Sequence, residues 1–206
     1  MTMLLYHDPR APNPRRVRIF LAEKAVAYDT IEVLIATDQH LTMEFRRKHP
    51  LSLLPVLELG DGKIIRESMA ICRYIEEAVA PDPNLFGADA WERSQIEMWN
   101  RHAELEVFMP IMNIFRNSNK FWAGRIKQAP EFADIMKEVL GARLDWLDKE
   151  LATRPYMAGD RFTVADITAL CAIDFGKASQ IRLDAAKHPN LVAWHTRVSE
   201  RPTTKA

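Results

Sequence analysis

Apolar positions along the chain change period, and the change divides it into two parts. Met3 to Tyr6 is a short apolar run of strand type. After the loop from His7 to Asn13, a helical pattern begins with Val17, Ile19, Phe20 and Leu21. Asn13-Pro14 marks its expected start, because asparagine caps a helix well and proline is favoured at the first helical position. Tyr28 to Leu34 alternates as a second strand, so the opening reads strand, helix, strand, which in one sheet implies parallel strands and a right-handed crossover. A short helix is expected from about His40 to Arg47, stopped by His49-Pro50. The apolar runs Val56 to Leu59 and Ile64-Ile65 flank Gly60-Asp61-Gly62 and predict a hairpin. Pro55 opens its first strand, where a missing ladder donor is tolerated. From Ser68 on, Met69, Ile71, Cys72, Ile75 and Val79 recur at helical spacing, predicting a helix from Glu67 to about Ala80. The order is βαβαββα.

Ala80-Pro81-Asp82-Pro83-Asn84 is a rigid polar linker and the expected boundary between a first domain, residues 1–80, and a second, residues 88–206. Past it the strand signal disappears. Four helical stretches follow, roughly Ala90 to Asn117, Pro130 to Ala152, Thr163 to Gln180 and Asn190 to Arg201. Thr163-Val164-Ala165-Asp166 fits a capping box with Asp in place of Glu, which makes Asp166 structural rather than catalytic.

Composition narrows the function classes. Lys+Arg and Asp+Glu both number 28, and this zero balance argues against a nucleic-acid surface and against attraction to an anionic membrane. No apolar run approaches the ~18 residues of a membrane span, and nothing after Met1 resembles a cleavage site, so a cytoplasmic protein is expected. Cys72 and Cys171 fall on apolar helix faces as core residues, with neither disulfide nor metal-ligand spacing.

The chemistry concentrates at Ser52-Leu53-Leu54-Pro55-Val56-Leu57-Glu58-Leu59, followed by Ile64-Ile65-Arg66-Glu67-Ser68. A proline-led strand, a turn, a second strand and Glu-Ser opening a helix make a corner suited to an anion. This combination closely resembles the glutathione-binding half of the cytosolic glutathione transferases. The resemblance covers the whole chain, including the Thr163 box and the tail His188-Pro189-Asn190-Leu191-Val192-Ala193-Trp194 with Arg201-Pro202. It implies an α/β, thioredoxin-like N-terminal domain followed by an all-α C-terminal domain. It also implies a cis Pro55, a Leu54 backbone that pairs with the cysteinyl part of glutathione, and a Glu67-Ser68 pair that holds the γ-glutamyl end. His40, fifteen residues before Pro55, matches the position that contacts the glycyl carboxylate. Ser52 stands where the family has glycine.

A transferase of this family lowers the glutathione thiol pKa, because the thiolate is the nucleophile. Most classes use a Tyr, Ser or Cys after strand one. Here His7-Asp8-Pro9-Arg10-Ala11-Pro12-Asn13-Pro14-Arg15-Arg16 offers none, and Tyr6 lies inside the strand. The segment from Pro12 to Lys24 looks like an atypical group typified by the second glutathione transferase of yeast and its bacterial relatives, which lacks the usual residue. That likeness implies activation by the helix-one terminus and by polar residues of the first long helix of the second domain. The candidates are Asn13 and Arg15 on the first, with N–H groups from Asn13, Arg15 or Arg16, and Asn113 and Asn117 on the second. Arg15, Arg16 and Arg18 sit in the first turns of helix one, where the macrodipole is already positive and a bound anion would relieve the charge; the alternative is that they reach solvent or pair with acids of the second domain. Phe108, Met109, Met112, Phe115, Phe121 and Trp122 are divided between core and acceptor site.

The resemblance thus implies a homodimer that adds glutathione, its co-substrate, to a small hydrophobic electrophile, with no metal. A non-catalytic glutathione-binding or scaffold protein of the same fold, or a peroxidase side activity, is the alternative.

Overall fold

A computed structural model describes residues 2–206. The chain divides into two compact units, one running to Asn84 and including Lys205–Ala206, the other Leu85–Thr204. The first unit holds β1 (Met3–His7), α1 (Pro12–Glu23), β2 (Asp29–Glu32), α2 (Met43–Lys48), β3 (Val56–Leu59), β4 (Ile64–Arg66) and α3 (Ser68–Tyr74), with 3-10 turns at Ile35–Thr37 and Gln39–Leu41. The strands lie in the order β2-β1-β3-β4, with β1 parallel to β2 and antiparallel to β3, and β3 antiparallel to β4. The α/β, thioredoxin-like order βαβαββα is therefore present.

Alternation along the strands builds two buried faces. Tyr6 and Val56 are paired and pack with Val33 and Phe45 of α2 on one side. Leu5 and Leu57, also paired, are fully buried on the other. The helices α1 and α3 contribute Val17, Phe20, Ile71 and Cys72, likewise fully buried. The edge strands β2 and β4 have only four and three residues, and that shortness leaves little edge for another chain to pair with.

Several expected boundaries move. The start of α1 is Pro12 with Ala11 as the cap residue, so Asn13 is inside the first turn and is not the cap. Proline suits both position 12 and position 14, because neither needs an N–H there. The second strand is shorter than the span from Tyr28 to Leu34. His40 lies in the 3-10 turn, and α2 begins only after Thr42, whose hydroxyl accepts from Phe45 N–H. After α3 the helix widens into a π turn, Ile75–Val79. The linker carbonyls of Pro81 and Pro83 accept from the buried Lys24 ammonium at 3.2 and 2.5 Å, and Lys24 also pairs with Glu76.

The second unit is all helix: α4 (Ala90–His102), α5 (Met109–Ser118), α6 (Pro130–Leu151), α7 (Val164–Gly176) and α8 (Pro189–Ser199). The stretch expected as one helix from Ala90 to Asn117 is interrupted by a π turn at Ala103–Phe108. Pro110 explains it: the ring has no N–H and crowds the carbonyl four residues back, which the wider turn accommodates. Apart from Asp174 and Phe175, every residue of α7 is buried, as befits a central helix that is apolar all round. Asn100 of α4 accepts from the Thr168 hydroxyl of α7 at 2.6 Å, with both side chains buried. Cys72 and Cys171 are free and buried.

The capping box at Thr163 forms, and Asp166 does more than close it. Its carboxylate accepts from Thr163 N–H and Met157 N–H at 2.9 and 2.8 Å, from Trp194 Nε1 at 2.8 Å and from the Thr163 hydroxyl at 3.2 Å. Burial pushes this carboxyl above the ordinary aspartate range, while the four donors pull it back. One side chain thus ties the segment before α7 to α8.

Candidate functional site

The hairpin brings Leu54-Pro55 and Glu67-Ser68 to one end of the sheet. Val56 pairs with Arg66, so the residues that extend this pair are Pro55 and Glu67. The Leu54-Pro55 bond is cis. Glu67 has φ 71° and ψ 122°, a backbone conformation that side chains other than glycine rarely adopt. Backbone strain of this kind persists where surrounding structure over-determines it, commonly at ligand sites. Ser68 then opens α3. Ser52, in the place of the family's glycine, has φ 56°, so the loop keeps a left-handed residue despite the substitution. Its N–H is fixed to His49 C=O at 2.8 Å.

Arg16, which the sequence leaves open between a bound anion, solvent and acidic partners, meets Ser68. Arg16 does not reach solvent: it is wholly buried, and its Nη1 donates to Ser68 Oγ at 3.0 Å. Pro12, Arg16 and Phe20 are buried at four-residue spacing on α1, a stripe legible in the sequence once the helix starts at Pro12. Arg18 also stays within the unit. It donates to Pro9 C=O at 3.0 Å and sits 3.1 Å from His7 Nδ1. Burial first, and the Arg18 charge second, push His7 below the ordinary histidine value; the guanidinium can only donate, so in this contact Nδ1 accepts. Asp8, another residue missed in the sequence, accepts from Arg10 N–H and Ile35 N–H, both at 2.9 Å. It thereby ties the loop before α1 to the segment after β2. An aspartate bonding the N–H two residues on is a local turn signal that could have been read there.

The first turn of α1 presents few donors. Positions 12 and 14 are prolines, Ala11 N–H donates to Asp8 C=O at 3.1 Å, and Arg15 N–H donates to Ala11 C=O at 3.2 Å. Among these first-turn groups, Asn13 N–H is the donor that remains open. The expectation that Arg15 supplies a backbone N–H is therefore corrected: the helix ladder uses it. Tyr6 is no substitute. Its hydroxyl donates to Glu58 at 2.7 Å, Lys48 holds the same carboxylate oxygen at 2.7 Å, and the Lys48 ammonium lies 4.7 Å from the Tyr6 ring centre.

Within the second unit, Asn113 and Asn117 lie on α5, both half-buried. The Asn117 amide is committed at both ends, donating to Asn113 C=O at 2.9 Å and accepting from Ala129 N–H at 3.0 Å. It holds the start of α6, which makes it structural. Phe115 packs on Phe175 with ring centres 4.8 Å apart, and on Phe121 and Trp122 at 6.1 and 6.2 Å. Phe108 is buried in the core, whereas Met109 is exposed.

Two family models match: the glutathione S-transferase N-terminal domain over residues 11–78 and the glutathione S-transferase C-terminal domain over residues 99–202. The chain belongs to the glutathione S-transferase family. It is 33% identical to glutathione S-transferase 2 of Saccharomyces cerevisiae, over 98% of this chain and 88% of that protein. Among solved structures it is similar to a glutathione S-transferase domain-containing protein of Marinobacter aquaeolei, with 35% identity, TM-score 0.92 and coverage of 98% and 99% of the two chains. A glutathione S-transferase of class Gtt2 from Vibrio parahaemolyticus gives 33% identity and TM-score 0.84, over 98% and 96%. These likenesses place the chain with the atypical Gtt2-like group of glutathione S-transferases. It is a transferase, and the family's co-substrate is glutathione. Among the described residues, no helix is long and apolar enough to cross a membrane.

Proposed function

We propose that the first unit binds glutathione through the Leu54 backbone beside cis-Pro55 and through Glu67 and Ser68, with His40 at the glycyl carboxylate. The reading is supported most by the Glu67-Ser68 corner, where a strained backbone and a buried arginine converge on one hydroxyl. The thiolate is stabilised by Asn13, with Arg15 and neighbouring positive charge raising the local potential. It attacks a small hydrophobic electrophile: the sulfur lone pair forms a C–S bond, and the electrophile's leaving group departs with its electron pair, or a π bond accepts the pair and is later protonated. Asn113 is kept as the second-unit candidate, and no metal takes part. The enzyme works in the cytoplasm. Calorimetry on Ser68→Ala is expected to show glutathione affinity lowered about tenfold or more, since a hydrogen bond to a charged group is worth about 1.5–3 kcal/mol. Unchanged affinity would place the site elsewhere.

We also propose a two-fold homodimer. Trp91, Met98, Leu105 and Met109 are large apolar side chains left exposed along α4, the π turn and α5, and a clustering of such residues favours a protein partner. Closed two-fold dimers are the commonest assembly. Sedimentation at micromolar concentration should give twice 23.7 kDa, and replacing Trp91 and Met98 by Glu together should yield the monomer. A parent protein sedimenting at 23.7 kDa removes the proposal.

A further inference from the structure

We infer that Arg16 is a positioning residue for the γ-glutamyl carboxylate of glutathione, acting by fixing the direction of the Ser68 hydroxyl. The inference rests on the reading that Ser68 binds glutathione. A guanidinium has N–H donors and no acceptor, so in the 3.0 Å contact Ser68 Oγ must accept. The hydroxyl proton then points away from Arg16. Among the described residues none takes that proton, although Ser68 is only 5% exposed. A hydroxyl that accepts from a cation on one side is polarised to donate on the other, and adjoining bonds of this kind strengthen each other in a low-dielectric setting. The ligand that completes the chain is an anion. A neutral acceptor would gain less from the polarised hydroxyl, and a donor nothing, so the device favours the α-carboxylate of the glutamyl end. The role differs from that of an exposed arginine that touches the ligand itself, because Arg16 is wholly buried and acts through the serine.

Calorimetry can separate this from a purely structural link between α1 and α3. Two ligands are used: glutathione, and the analogue with hydrogen in place of the γ-glutamyl α-carboxylate. Arg16→Met is expected to weaken glutathione about tenfold, the size of one lost charge-assisted bond, and to leave the analogue within about twofold. In the Ser68→Ala background the same change should cost little further, because the two residues act as one unit. Arg16→Gln, which keeps an N–H donor without the charge, should fall between, and it carries the same comparison if Arg16→Met fails to fold. Equal losses for both ligands, or additive losses in the double variant, would show that Arg16 only packs the helices and would overturn the inference. If Ser68→Ala itself leaves glutathione affinity unchanged, the binding site is elsewhere and the inference falls with it; if only the Arg16 variants are silent, the site stands and the inference alone fails.

Discussion

Asp166→Ala is expected to be the most destabilising single substitution in the second unit. The change strands Met157 N–H, Thr163 N–H and Trp194 Nε1–H, all now held by one carboxylate that is wholly buried. Each buried donor left without an acceptor costs about 1–3 kcal/mol, so the loss of three should reach about 3 kcal/mol or more. Set against the roughly 5–15 kcal/mol that holds a typical domain folded, this is a large fraction. Thr163→Ala serves as the comparison. It removes the cap hydroxyl but leaves the carboxylate and its three N–H donors in place, and a lost cap costs about 1 kcal/mol. Urea unfolding at neutral pH measures both, with the midpoint of Asp166→Ala falling several times further than that of Thr163→Ala. Equal midpoints for the two variants would mean that water replaces the carboxylate and that the knot contributes no more than a cap.

The parts of the fold that were legible in the sequence are those set by local pattern. The hairpin follows from Gly60-Asp61-Gly62 between apolar runs, and the capping box from Thr163 and Asp166 three residues apart. What failed to show depends on packing at a distance. Arg16 is counted among surface charges by any composition rule, because arginine is almost never fully buried unless paired, and its partner Ser68 is 52 residues away. The tie from Ala129 N–H to the Asn117 amide is invisible in the sequence because it crosses a loop that has no sequence signature. The start of α1 was misplaced by two residues for a different reason. Both Asn13-Pro14 and Ala11-Pro12 satisfy the proline preference of a first turn, and only the observed bond from Arg15 N–H to Ala11 C=O, the first of the helix, chooses between them. The π turn before Met109 belongs to a third kind: Pro110 announced a disturbance but not whether the helix would break, kink or widen.

Thiol activation is where the corrected start of α1 sharpens the expected result. With Pro12 and Pro14 lacking N–H groups, and with those of Ala11 and Arg15 bonded to Asp8 and Ala11 carbonyls, Asn13 supplies both the open backbone donor and a side-chain amide. Asn13→Ala keeps the first and removes the second. A direct bond from that amide to the thiolate is worth about 1.5–3 kcal/mol, and each pKa unit corresponds to about 1.36 kcal/mol, so the bound thiol should titrate about one unit or more higher in the variant. The sign follows from the species stabilised: removing a donor to the charged form makes that form less favourable and raises the pKa. Pro14→Ala should act in the opposite direction, because it restores a first-turn N–H that Ala11, which has no capping side chain, cannot occupy. Asn117→Ala should leave the titration alone and instead loosen the start of α6, since its amide is spent on Asn113 C=O and Ala129 N–H. Asn113→Ala is the decisive comparison, because no described residue bonds its amide. Thiolate absorbance of bound glutathione, followed against pH in each variant, reads the shifts directly. If Asn13→Ala leaves the curve in place and Asn113→Ala moves it upward, the sulfur is served from α5, and the role assigned to the first turn of α1 is wrong.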